Sequence, residues 1–171
     1  MASERVPGGE EAARLLTTPV APLRLVAGPE GVRRLEWGGE ADGGPPGGPA
    51  EAHLELAETA LRAYFADARA DLSAIPRSDH PGTAFQRRVW QALTAIPPGQ
   101  VRTYGELARE LGSSPRAVGN AARANPWPLV VPCHRLVASQ GLGGYGGQTR
   151  GQGLAIKRWL LAHEGYLTEG G

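Results

Sequence analysis

Residues 101–126 read VRTYGELARELGSSPRAVGNAARANP, and the punctuation of this stretch decides the architecture around it. Thr103-Tyr-Gly-Glu106 is a capping-box pattern: the threonine hydroxyl and the glutamate three residues on satisfy each other's free backbone amides. Leu107, Ala108 and Leu111 then share a helical face, and Gly112 supplies a left-handed stop. Ser113-Ser114-Pro115 offers a new cap and a first-turn proline, which predicts a second helix through about Ala124. Two short helices across a glycine turn outline a helix-turn-helix. The second is built from Ala, Val and Gly, with Arg116 and Arg123 as its longest side chains. Such a helix has little with which to read base edges in a major groove, but its small residues allow close, sequence-independent docking, as in a minor groove. A plain helical hairpin packed into a core would share the pattern.

Upstream, Thr83-Ala-Phe-Gln86 is a second capping box, followed at helical spacing by Phe85, Val89, Leu93 and Ile96. IPRSDHPGT (75–83) separates it from an apolar helical pattern at Leu54, Ala57, Leu61, Tyr64 and Phe65. GGEADGGPPGGPA (38–50) is a connector without period, and PLRLVAGPEGVRRLEW (22–37) reads as a hairpin around Gly-Pro-Glu-Gly. The reading is an α/β protein with a small strand-containing domain over 1–75 and a mostly helical domain over 76–171.

Charge divides along the same line. Residues 1–83 carry eight Arg against thirteen Asp and Glu, a balance of −5, whereas residues 84–135 carry seven Arg against Glu106 and Glu110, a balance of +5. The second half is the one that would face a polyanion. No run approaches the roughly 20 apolar residues of a membrane span, and MASERVPGGEEAARLL lacks the pattern of a secretory leader. One cysteine makes neither an internal disulfide nor a thiolate metal cluster, so the expected compartment is the reducing cytoplasm. Lys157 is the sole lysine, read here as codon bias as much as function.

Downstream, NPWPLVVPCHRLVASQG (125–141) holds that cysteine, Cys133, next to His134. Leu129-Val130-Val131 reads as a short strand ended by Pro132, which would place the thiol at the lip of a turn. Neighbouring strand side chains point to opposite faces, so Cys133 and His134 would communicate through water or a bend. A free thiol is only a few per cent thiolate at neutral pH, and a histidine oriented by a carboxylate would lower its pKa. Glu164, at the end of the last predicted helix (GLAIKRWLLAHEG, 153–165), is the candidate carboxylate. Lone cysteines are more often small buried hydrophobes; the proline, the histidine and the glycine loop GLGGYGGQTRGQG argue for reactivity here.

RAVGNAARANPWPLVVPCHRLV, the following Gly-Tyr-Gly loop, KRWLLAHEG and GTAFQRRVWQALTAIPPGQVRTYGELA together resemble the O6-alkylguanine-DNA alkyltransferases (methylated-DNA–protein-cysteine methyltransferases), over about residues 75–166. The resemblance implies a ribonuclease H-like N-terminal domain and a winged helix-like helix-turn-helix that binds double-stranded DNA through its minor groove. It further implies that an alkylated guanine is flipped out and that its alkyl group moves irreversibly to Cys133, once per molecule. His134 would relay the proton and Glu164 orient the histidine. Tyr104 would assist flipping, Arg116 fill the vacated stack, Asn125 act as hinge and Tyr145 wall the pocket. Ala117, Arg123 and Arg135 would join the DNA-binding set. The turn LGSSPRAVG is shorter than in the family and the Tyr145–Lys157 loop longer, with QTRGQ added. Neither cofactor nor metal is expected, since only His53 and His80 precede Cys133 among zinc-type ligands, and the protein should act as a monomer. The rival readings are a lesion binder that transfers nothing, a Cys–His hydrolase and a transcription regulator.

Overall fold

A computed structural model describes residues 11–39, 48–78, 82–145 and 151–167. The chain forms two compact units, Met1–Pro81 and Gly82–Gly171. In the first, β1 (Ala12–Leu16), β2 (Leu23–Gly28) and β3 (Gly31–Trp37) make an antiparallel sheet in that order, and α1 (Gly48–Ala66) covers it. Leu54, Ala57, Leu61 and Tyr64 on α1 meet Leu16, Leu23, Leu25 and Val32, all essentially inaccessible to solvent. Arg14 of β1 reaches Glu51, Glu55 and Glu58 of α1, which tethers the helix to the sheet edge.

The hairpin turns at Pro29-Glu30, between the Gly28–Gly31 pair. Strand β1 has no counterpart in the sequence reading: AARLL alternates weakly, and only Ala12 and Leu16 are buried. The connector expected at 38–50 ends earlier, because α1 begins at Gly48; residues 40–47 lie outside the described part. The division after Pro81 also falls later than the expected end at residue 75. Val32 N–H donates to Pro76 O (2.7 Å) and Ser78 N–H to Val32 O (3.0 Å), so residues 76–78 are stitched onto β3. A side chain on Gly31 (φ +146°) would put its Cβ 2.8 Å from the Arg77 carbonyl carbon, so glycine is required at this close pass.

The second unit contains α2 (Ala84–Thr94), β4 (Arg102–Thr103), α3 (Tyr104–Leu111), α4 (Pro115–Arg123), a 3-10 turn at Cys133–Arg135, β5 (Leu136–Val137) and α5 (Gln152–His163). Both predicted capping boxes are present, on Thr83/Gln86 and Thr103/Glu106. Gly112 is left-handed (φ 66°, ψ 39°), and Ser113 N–H returns to Ala108 O at 2.8 Å. Ser114 Oγ then accepts from Ala117 N–H, capping α4. Trp90 Nε1–H donates to Ala121 O (2.8 Å) and Trp90 meets Trp127 edge to face, fastening α2 to α4. Parallel pairing of β4 with β5 (Arg102–Leu136, Thr103–Val137) carries Tyr104 alongside the cysteine turn. This two-residue ladder positions the site.

Candidate active site

Leu129-Val130-Val131 is not a strand. Leu129 has φ +78°, the one positive-φ residue other than glycine among the described residues, and Val131 N–H closes back on Trp127 O at 2.8 Å. The apolar run is buried by turning inward, with only an isolated bridge between Pro128 and Val131. Asn125 holds the turn from inside: its Nδ2 donates to Val131 O (2.8 Å) and its Oδ1 accepts from Trp127 N–H (2.9 Å). Pro132 then opens the 3-10 turn, where successive side chains fan out about 120° apart instead of alternating. Cys133 and His134 therefore face different surroundings.

Cys133 is half-buried and lines a cavity of about 630 Å³. That volume falls in the range of small-molecule sites. Its walls are Tyr104 from α3; Pro115, Arg116, Gly119, Asn120, Ala122 and Arg123 from α4; and Gly144 and Tyr145 from the loop. The Tyr104 ring has glycines on two sides. A Cβ on Gly143 would lie 2.9 Å from Tyr104 Cε2, and one on Gly119 3.6 Å from Cε1.

His134 points the other way and is fully buried. Its Nε2 lies 2.7 Å from Glu164 Oε2, while its Nδ1 has no partner among the described residues. Arg135 Nε and Nη2 donate to the same carboxylate at 2.9 and 2.8 Å, and Nη1 donates to Ile96 O at 2.5 Å. Burial alone would raise the Glu164 pKa, but hydrogen bonds from His134 and Arg135 outweigh it and hold the carboxyl well below the usual range. Burial keeps the His134 pKa low, so the imidazole is neutral. Nε2–H then donates to Glu164, and Nδ1 keeps a lone pair for a proton. Burial also pushes the Cys133 thiol up, despite a hydrogen bond from Asn125 and the charge of Lys157. The lowered thiol expected from a neighbouring histidine is thus absent, because a neutral imidazole contributes no positive charge. Burial and the charge of Cys133 likewise raise Tyr104, which stays a neutral hydroxyl able to donate.

The site thus combines a half-buried thiol lining a cavity, a buried Glu–His pair and an arginine-bearing helix along the cavity wall. The family profile for the 6-O-methylguanine DNA methyltransferase DNA-binding domain matches residues 84–166. A methylated-DNA–protein-cysteine methyltransferase of Methanosarcina acetivorans is 36% identical over 159 residues, 88% of this chain and 96% of its own. The chain belongs to the methylated-DNA–protein-cysteine methyltransferase family. A Salmonella typhimurium family member is 57% identical over 89 residues, and there the alignment spans 50% of this chain and 49% of the relative. A Thermus thermophilus protein named a DNA base-flipping protein is 45% identical over 89% of this chain and 99% of its own. The Mycobacterium tuberculosis O6-methylguanine methyltransferase has the same mixed α/β structure (TM-score 0.69, 34% identity, covering 90% of this chain and 92% of that one). A further structure is described as Mycobacterium tuberculosis OGT in complex with DNA (TM-score 0.68, 34% identity, covering 89% and 91%).

In this family member the structure gathers Tyr104, Arg116, Arg123, Cys133 and Tyr145 around one cavity, with His134 and Glu164 paired behind it. Ala117 sits half-buried on the first turn of α4, outside the cavity lining. Arg135 needs correction: it was expected in the DNA-binding set, but it is 7% exposed and committed to Glu164 and Ile96. The resemblance put it in that set, yet the 3-10 turn rotates it inward. Lys157 was the residue the sequence reading passed over. It is fully buried, its Nζ donating to Leu136 O (2.6 Å) and Gly144 O (2.9 Å). The available signal was its solitude, one lysine inside the apolar run of α5 in an arginine-rich chain.

No helix is long and apolar enough to cross a membrane, and among the described residues no group of three His, Cys, Asp or Glu could hold a metal ion.

Proposed function

We propose that the protein repairs DNA by direct reversal, taking the alkyl group from O6-alkylguanine onto Cys133. The observation that carries this reading is the placement of the thiol inside a cavity that also holds Tyr104, with His134 and Glu164 buried behind the same turn. In the reaction the Sγ–C bond forms as the C–O6 bond breaks, and the electron pair leaves on the purine oxygen. The thiol proton passes through water to His134 Nδ1, whose Nε2–H is fixed by Glu164. The Tyr104 hydroxyl donates to the guanine ring and disperses the charge it gains. An S-alkyl cysteine has no carbonyl for water to attack, and thiolate is a poor leaving group from an alkyl carbon. Each molecule therefore reacts once.

The fold supports a double-stranded DNA partner bound by a winged helix-like helix-turn-helix of α3 and α4, laid in the minor groove. Gly119, Ala122 and Ala117 keep α4 thin enough for close approach, and Arg116 and Arg123 are exposed at the cavity rim. Arg116 fills the stack that the flipped guanine leaves; flipping costs a few kcal/mol, least for a damaged base. The first unit is read as ribonuclease H-like, the second carries the chemistry, and the protein works as a cytoplasmic monomer. The Thermus relative is named for flipping alone; the thiol inside this chain's cavity favours transfer over mere recognition.

The test is a duplex bearing a radiolabelled O6-methyl group. The label should move to protein up to one equivalent and then stop. Continued turnover, or label that stays on the DNA, would contradict the reading.

A further inference from the structure

Lys157 is a buried cation without a carboxylate partner among the described residues. Its Nζ donates to two carbonyls and stands 6.0 Å from the centroid of the Tyr104 ring. A buried ammonium is costly unless an anion faces it or it gives up its proton. Cys133 and His134 are coupled to its charge, and the ionisable groups of the wider site come from four elements. The 3-10 turn supplies Cys133, His134 and Arg135, α3 supplies Tyr104, α4 supplies Arg123 beyond the phenol, and the end of α5 supplies Glu164. Glu164 is already shared between His134 and Arg135. His134 is held neutral and Tyr104 protonated, and both arginines are cations. Among the described residues that leaves Cys133 as the one group able to present an anion to Lys157.

The backbone fastens the two together. Leu136 N–H donates to Cys133 O, closing the 3-10 turn, while Leu136 O accepts from Lys157. The other acceptor, Gly144, lies in the same cavity wall as the thiol. Charge coupling runs both ways: Lys157 favours the thiolate, and Cys133 opposes the fall of Lys157 to about 8 that burial causes.

We propose that Lys157 is the counter-ion of the Cys133 thiolate, a positioning residue that offsets part of the cost of burying the anionic sulfur while its two carbonyl contacts keep the Gly144 wall in place. This rests on the reading of Cys133 as the alkyl acceptor. Thiol and ammonium together carry two ionisable protons. The pair sheds the first by way of His134, and thiolate–ammonium and thiol–amine are two arrangements of the same protonation level. The thiolate–ammonium form is the one that reacts. Alkylation converts the sulfur to a neutral thioether and leaves Lys157 without an anion.

One lysine and one cysteine make the test clean, because each gives a single signal in the full-length protein. Lysine labelled with carbon-13 at Cε is followed by NMR through a pH titration in native protein, in Cys133→Ser, and in protein alkylated with iodoacetamide. The Lys157 midpoint should be lower by about one unit, a tenfold change in the equilibrium, whenever the thiolate is missing. In parallel, the rate of iodoacetamide reaction at Cys133 is measured against pH. Lys157→Gln keeps donors for both carbonyls but no charge; it should move the rise to higher pH and slow the reaction about tenfold near neutrality. Lys157→Arg should restore the native profile. An identical Lys157 midpoint in native protein and Cys133→Ser overturns the proposal, and so does a Lys157→Gln profile that is unchanged while only the melting temperature falls. Should Lys157→Gln not fold, the titration alone decides. Neither arm needs DNA, so a protein that passes both yet takes no methyl from a lesion refutes the acceptor reading and leaves the ion pair standing.

Discussion

At the scale of single residues the chemistry rests on a buried charge chain. Glu164→Gln leaves the Arg135 guanidinium buried beside a neutral amide, and breaking a buried pair in this way costs about 3–5 kcal/mol; urea unfolding of the variant should register it. The folded carboxyl has a depressed pKa, so its contribution is complete above the ordinary carboxylate range, shrinks as pH falls below that range and is gone only below the depressed folded value. The His134 pKa is depressed too, which keeps the proton-accepting imidazole available on the acid side of an ordinary histidine. The acid limb of the rate of methyl transfer should accordingly lie below about pH 6.5, and a stopped-flow pH series checks it. A limb at or above that value would mean that ionisation of the raised Cys133 thiol, and not of His134, sets it. Cys133 and His134 stood out in a sequence with one cysteine and four histidines, and Glu164 by its place at the end of the last predicted helix. Arg135 and Lys157 did not. Their roles depend on burial, which a local pattern of charges does not reveal.

At the scale of elements, the helices were the most legible part, since Thr83, Thr103, Gly112, Ser114 and Pro115 are cap and stop residues whose chemistry is local. Thr103→Ala removes the Glu106 N–H acceptor and should cost about 1 kcal/mol of stability by thermal or urea unfolding. Strand β1 was missed and the 129–131 turn misread for the same physical reason: short apolar runs take their conformation from what covers them. Leu129 adopts a left-handed backbone because its neighbours bury it there. The glycines flanking Tyr104 make a sharper forecast. Gly143→Ala combines a positive φ with a 2.9 Å approach to the ring, so the ring or the loop must shift. Transfer from duplex DNA should fall at least tenfold, on the scale of about 1.4 kcal/mol, with little change in affinity for undamaged duplex. Unaltered transfer would mean the ring position is not critical.

At the scale of the whole molecule, the sign change along the chain fits a polyanionic partner for the second unit. Binding to undamaged duplexes should weaken with salt in proportion to the arginine–phosphate contacts and vary little with sequence; a strong preferred site would favour a regulator. Flipping and chemistry separate at Arg116. If Arg116 fills the vacated stack as proposed, Arg116→Ala removes a stacking substitute worth about 1–3 kcal/mol, and repair of duplex DNA should slow by roughly 5- to 150-fold. Reaction with free O6-benzylguanine, which needs no flipping, should hardly change. Equal losses on both substrates would shift the role to Arg123. The central claim, that one alkyl group passes from guanine to the single thiol, meets its most direct test in mass spectrometry of the protein after incubation with an O6-methylguanine duplex. The account predicts a mass increase of one methyl group, mapped to the peptide holding Cys133, without cofactor and absent in Cys133→Ala; an unchanged mass, or a methyl group on another residue, would contradict it.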